Sequence, residues 1–192
     1  MIWNDHSREI EKGDHAFLGA SKYSWLNYDE KKLIDTFNNF YARQRGNILH
    51  DFACQCIILK QELKGTKQTL NMYVNDAIRY RLRPEQPLYY SENCFGTADA
   101  IGFNEKKKFL RIHDLKTGVN QASLHQLEIY AALFCLEYKV KPGSLSGCEL
   151  RIYQNDDILI GKPEADDILP IMDKIVKFDK ILKKIKVEQY GI

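Results

Sequence analysis

The chain has little freedom between Phe95 and Leu115. The stretch FGTADAIGF, the polar run NEKKK at 104–108 and then FLRIHDL place two short apolar, alternating segments on either side of a turn. This pattern predicts two antiparallel strands joined as a hairpin. With the turn centred between Lys106 and Lys107, paired residue numbers sum to 213, so Asp99 faces Asp114, Thr97 faces Lys116 and Ile101 faces Ile112. Opposed residues of an antiparallel pair project from the same face, so this register brings two carboxylates and an amine to one side of a sheet, with Leu115 pointing into the opposite layer.

Two hard carboxylates on one face can hold Mg²⁺ or Mn²⁺ against a phosphate while the ion acidifies an attacking water, and a nearby ammonium can position that water or offset developing charge. An acidic-x-Lys triplet alone carries almost no information. Asp29/Lys31, Glu30/Lys32, Glu62/Lys64, Glu105/Lys107 and Glu137/Lys139 also match it. Four of these lie on helix-like segments, where residues two apart diverge by about 200°, and the fifth lies in the hairpin turn. Only Asp114/Lys116 falls on a strand with another carboxylate opposite.

Around this hairpin the periodicity is helical. Asn27 followed by Glu30 reads as a helix N-cap, and Leu33, Ile34, Phe37 and Phe40 give a helix over about 29–43. After Gly46 the positions Ile48, Leu49, Phe52, Cys56, Ile57 and Leu59 repeat the pattern in a second helix to about Leu63, with Ile48, Leu49 and Phe52 on its core side and Gly46, one turn before His50 on the same face, leaving space for close approach. A shorter helix covers Asn71 to Leu82, stopped by Pro84. Strands are expected at 88–90, 94–103, 109–115, 148–153 and 158–160, a helix at about 121–138, and a long amphipathic helix from Ile168 through Ile185.

The expectation is an α/β fold, a mixed central sheet flanked by helices. A single domain over 1–192 divides into a mainly helical part to residue 82, a sheet-containing core over 86–160 and a C-terminal helix over 165–189. The 192 residues, 44% hydrophobic and 28% charged, suit one soluble domain. A net charge of +2 means that affinity for a polyanion must come from local arrangement. The N-terminal MIWNDHSREIEKGDH is too polar for a signal peptide and no run of 18 apolar residues occurs, which points to the cytoplasm and away from a membrane. Five cysteines, an odd number set mostly in apolar segments, read as reduced thiols.

Taken together, GTADAIGF, IHDLKTG and HQLEIYA, in that order, resemble the RecB-type nuclease branch of the PD-(D/E)XK superfamily, with its restriction-endonuclease-like sheet. The resemblance implies that Asp99 and Asp114 are metal ligands and that Lys116 is catalytic. It also implies that Gln126 and Tyr130, one helical turn apart, contact nucleic acid or support the site. RGNILHDFA is similar to the family's Gly-x-x-x-His element, which makes His50 a further metal ligand, and the Leu115 carbonyl is another candidate. An imidazole beside carboxylates tilts the preference from Mg²⁺ toward Mn²⁺. The segment HAFLGASKYSWLNY is similar to the start of phage- and prophage-encoded members.

Two features depart from the family pattern. Nothing after Cys148 is a cysteine, so no iron-sulfur cluster is expected. The carboxylate that relatives often carry on the preceding strand has no clear counterpart, Glu85 and Glu92 being only nearby. The implied activity is metal-dependent hydrolysis of DNA, as an exonuclease acting on ends in phage replication, recombination or DNA processing, with a recombination or single-strand-binding protein as a possible partner. An endonuclease or nickase with the same site, or a non-catalytic DNA-binding accessory protein, are the alternatives. His113 and His125 read as bystanders by strand and helix parity, Lys106 to Lys108 as a solvated turn, and Trp3, Trp25 and Tyr28 as packing residues.

Overall fold

The computed structural model describes residues 16–118 and 120–190. The polar segment 1–15, including Trp3, lies outside the described residues. Backbone contacts divide the chain between Arg45 and Gly46 into two compact units.

In the first unit a 3-10 segment, Ala20–Asn27, bends at Lys22, and Trp25 Nε1 donates to the Gly19 carbonyl at 3.1 Å. Phe17 packs edge-on against Phe37, with ring centroids 5.3 Å apart. Helix α1, Glu30–Leu59, starts here and is capped by Asp29, whose Oδ1 accepts from the Lys32 N–H at 2.7 Å, rather than by Asn27.

Two helices were expected where α1 is one. Gly46 does not interrupt it, because a glycine inside a helix costs only about 1 kcal/mol and this one is buried.

The second unit contains a five-stranded mixed sheet flanked by helices, the expected α/β architecture. Its strands are β1 (Arg83–Ser91), β2 (Cys94–Asn104), β3 (Phe109–Leu115), β4 (Gly147–Gln154) and β5 (Asp157–Gly161). They lie in sequence order, with β3 and β4 parallel and every other neighbouring pair antiparallel. Helix α2 is Thr69–Arg79, α3 (His125–Glu137) makes the β3-to-β4 crossover, and α4 is Ala165–Ile185. Among the described residues no helix is long and apolar enough to cross a membrane.

Two cores cover the sheet. On one side Leu88, Ile101, Leu110, Ile112, Leu150 and Ile152 pack with Leu127, Ala131 and Phe134 of α3 and Ile168 of α4. On the other, Ala100, Leu115 and Tyr153 pack with Ala53, Cys56 and Ile57 of α1 and Tyr73, Val74 and Ala77 of α2. The face assigned to the second half of α1 is therefore corrected. Ile48 and Phe52 are 66% and 47% exposed, whereas Cys56 and Ile57 of the expected pattern do turn inward, together with Gly46 and Ala53.

Helix ends also differ from expectation. Lys60, Arg81 and Lys139 each take a left-handed conformation, with φ of 55°, 57° and 54°. In each case the next N–H returns to a carbonyl five residues back: Gln61 to Cys56, Leu82 to Ala77 and Val140 to Cys135. This is the six-to-one closure that normally recruits glycine. Pro84 is accordingly not the helix stop. It lies within β1, an edge strand, where a missing N–H can face the unpaired side.

Candidate functional site

The β2–β3 ladder follows the register in which residue numbers sum to 213, from Asn104 opposite Phe109 to Ala100 opposite His113. It stops one pair short of Asp99 and Asp114. There the Asp99 side chain stands in for a backbone acceptor, its Oδ2 accepting the Leu115 N–H at 2.9 Å. The alternation of β2 slips at the same point. Ala98 and Ile101 share the α3–α4 core while Ala100 lies in the α1–α2 core, although a strict period of two would put Ala98 with Ala100.

On the other neighbour of β2, Glu85 falls between the pairs Pro84–Ala100 and Gln86–Ala98, opposite Asp99, with φ of 46°. Helix α1 supplies His50, whose Nδ1 lies 3.4 Å from Asp99 Oδ2. Ligand atoms of His50, Glu85 and Asp99 all fall within 4.8 Å of one another. One helical turn before His50, a Cβ added to Gly46 would sit 2.8 Å from Thr117 Oγ1. The glycine thus lets α1 approach the segment that leaves β3.

Asp114 and Lys116 form the other half of the site. The Lys116 ammonium donates to Asp114 Oδ1 at 3.1 Å and lies 3.0 Å from Oδ2, which is buried and has no hydrogen-bond partner of good geometry. The ammonium straddles the carboxylate, close to both oxygens but in hydrogen-bond geometry with Oδ1 alone. Lys116 also donates to Gln126 Oε1 at 2.9 Å, and Gln126 Nε2 donates to Tyr130 Oη at 3.1 Å. The Tyr130 ring rests on Gly96, where a Cβ would come within 2.9 Å of Cε1. The glycine of GTAD therefore gives α3 its close contact with β2.

The array is acid-rich. Burial first, then the Asp99 charge, pushes the Asp114 carboxyl up, against the pull of Lys116. Glu85 is raised in the same order of causes, burial and then Asp99, with His50 opposing. The buried Tyr73 phenol is held well above its ordinary value, by burial first and then by Asp99, Glu85 and Asp114. Two carboxylates within 4.8 Å repel by roughly 3 kcal/mol at an effective dielectric near 20, and by less where solvent screens the exposed Glu85.

The His50, Glu85 and Asp99 ligand atoms lie close enough to share a cation, which would offset the like charges that the fold brings together there. Hard oxygens with one imidazole suit Mg²⁺ or Mn²⁺.

The structure thus gathers His50 and Asp99 in one group, and Asp114, Lys116, Gln126 and Tyr130 in an adjoining one. Asp114 is not a member of the three-residue group, whose third member is Glu85. Leu115 offers its N–H to Asp99 while its side chain is buried among α1 and α2 residues. Glu92 is engaged elsewhere, by Lys186 at 2.8 Å. His113 is buried against Tyr153 and His125 pairs with Glu128 on the surface of α3, so both stand apart from the carboxylates. Sequence reasoning left Glu85 only nearby, because Pro84 and Pro87 argue against a strand there; the observed β1–β2 register, in which paired numbers sum to 184, sets it opposite Asp99.

Compared with protein-family models, curated proteins and solved structures, the chain gives no match.

Proposed function

We propose that this chain is a metal-dependent deoxyribonuclease of the RecB-type PD-(D/E)XK kind, working in the cytoplasm as an exonuclease on DNA ends. The observation that supports this most is the meeting of His50, Glu85 and Asp99 beside the Asp114–Lys116 pair, at the one place where the β2–β3 ladder opens.

In this reading His50, Glu85, Asp99 and Asp114 hold Mg²⁺ or Mn²⁺. Bound there, the ion supplies Lewis-acid polarisation of the phosphate and acidifies water. Lys116, fixed between Asp114 and Gln126, orients the attacking water and places a positive charge beside the phosphate oxygens as charge builds on them. Gln126 and Tyr130, locked to one another, position the scissile strand.

The test is digestion of 5′-labelled and 3′-labelled single- and double-stranded oligonucleotides with Mg²⁺ or Mn²⁺, with EDTA as control. Metal-dependent release of nucleotides from one end is expected. Absence of cleavage with either ion, or wild-type cleavage by Asp114→Ala, overturns the reading. Comparison of linear with covalently closed circular DNA separates an exonuclease from an endonuclease.

A further inference from the structure

A cavity of about 580 Å³ lies at the turn end of the hairpin, away from the carboxylates, between the start of β1, the end of β2 and the C-terminal end of α3. Its floor is apolar and aromatic. Phe103 packs on Phe134 with centroids 5.1 Å apart, and Phe134 packs on Tyr138 at 5.0 Å. Its rim is cationic, with Arg81, Arg83 and Lys108 against a single carboxylate, Glu105. None of these three cations has a salt-bridge partner among the described residues. Neither half of this arrangement is used by the chemistry described above.

The cavity is tied to the candidate site by α3. Gln126, which touches Lys116, is followed at intervals of four by Tyr130, Phe134 and Tyr138. Twelve residues of helix span about 18 Å, which is roughly five nucleotides of stacked strand at 3.4 Å each.

We propose that this cavity is a second subsite for an unpaired nucleic-acid strand, engaging it some five nucleotides from the scissile phosphate. The inference rests on the nuclease reading for its substrate class. The rim supplies phosphate contacts, and Tyr138, 52% exposed, offers a ring face to a base. A concave aromatic floor selects an unpaired strand, because a duplex keeps its base faces stacked inside. Arg81 and Lys108, which line the cavity, sit at the helix end and in the hairpin turn, both in left-handed backbone, with φ of 57° and 50°.

The test uses the full chain in EDTA, so that no cleavage intervenes, and fluorescence anisotropy of labelled thymidine oligonucleotides across a salt series. The variants are Arg81→Gln/Arg83→Gln/Lys108→Gln and, separately, Tyr138→Ala. For a 12-mer the triple variant should bind more weakly, with the log–log salt slope reduced by about 2 for three lost phosphate contacts. Tyr138→Ala should lose about tenfold with little change in slope. A trimer can seat at the rim by itself, so its binding should weaken in both variants as well. A matching RNA 12-mer shows whether the sugar is read, and weakening there too supports the same subsite.

Unchanged 12-mer affinity and slope in the triple variant overturns the proposal, as does equal weakening for a blunt duplex. Failure of the nuclease reading looks different: the 12-mer still depends on the rim, while wild-type protein in Mn²⁺ leaves every oligonucleotide intact.

Discussion

Glu85 stands opposite Asp99 across the β1–β2 ladder, in a left-handed backbone conformation with φ of 46°. A non-glycine residue there costs on the order of 1 kcal/mol. The fold spends this on placing a second carboxylate within 4.8 Å of Asp99 and His50. Glu85→Gln should therefore lower Mn²⁺-dependent cleavage by at least about 100-fold, more than loss of an outer-sphere partner costs. Relief of like-charge repulsion should leave its melting temperature in EDTA equal to or above wild type. Cleavage rates and thermal melts of the two proteins check both expectations.

Asp114 carries a linked stability cost. Its folded carboxyl is raised above its ordinary value by burial and by Asp99, so the folded chain binds protons that the unfolded chain has released. Its contribution to stability is thus present below the unfolded pKa, near 3.9, and is lost as pH rises through the folded value. Asp114→Asn should raise the melting temperature in EDTA at pH 7 and flatten the pH dependence above pH 4, while cleavage falls to background. Thermal melts from pH 4 to 8 read this directly, and a lower melting temperature for the variant contradicts it.

Asp179 works in the opposite sense. Its carboxylate accepts from Ser91 Oγ at 2.6 Å and Asn93 Nδ2 at 2.9 Å and pairs with Lys183 at 2.9 Å, which tethers the β1–β2 turn to α4. The Lys183, Ser91 and Asn93 hydrogen bonds, in that order, hold its pKa down to about 2. A depressed carboxylate stabilises above the unfolded value near 3.9 and loses that contribution as pH falls toward 2. Wild-type protein should lose stability across this window, and Asp179→Asn should lose less across it while being less stable at pH 7. Acid titration followed by circular dichroism measures the difference.

Gly96→Ala tests the contact that carries Tyr130. The added methyl would lie 2.9 Å from Cε1 of that ring. Displacing the ring should cost roughly 1–3 kcal/mol of stability as overpacking, and it should also disturb the Tyr130–Gln126–Lys116 chain. The expected result is a drop in kcat larger than the melting shift accounts for at the assay temperature. Wild-type kcat with a normal melting temperature would show the contact to be dispensable.

How much was legible in the sequence can be argued from these same residues. The β2–β3 register follows from counting across the turn, because a period of two leaves one alignment that keeps Ile101 opposite Ile112. Gln126 and Tyr130 came from the family resemblance and their common face from helical spacing, whereas the contact of Gln126 with Lys116 is visible only in the structure. Glu85 was hidden because Pro84 and Pro87 argue against a strand, and an edge strand tolerates both. Helix ends at Lys60, Arg81 and Lys139 were illegible because glycine is the usual left-handed residue and these ends use charged side chains. Hydrophobicity misplaced part of one face of α1: Ile48 and Phe52 look outward, while Cys56 and Ile57 are buried as expected and Gly46 makes its close approach at Thr117.

The most direct measurement is anomalous diffraction at the manganese edge from crystals soaked in Mn²⁺. The account predicts a peak within about 2.5 Å of His50, Glu85 and Asp99 side-chain atoms, close to an ordinary coordination distance, with Asp114 Oδ2 turned toward it. Protein that cleaves DNA in the same Mn²⁺ buffer, yet shows no anomalous peak among these residues, would contradict it.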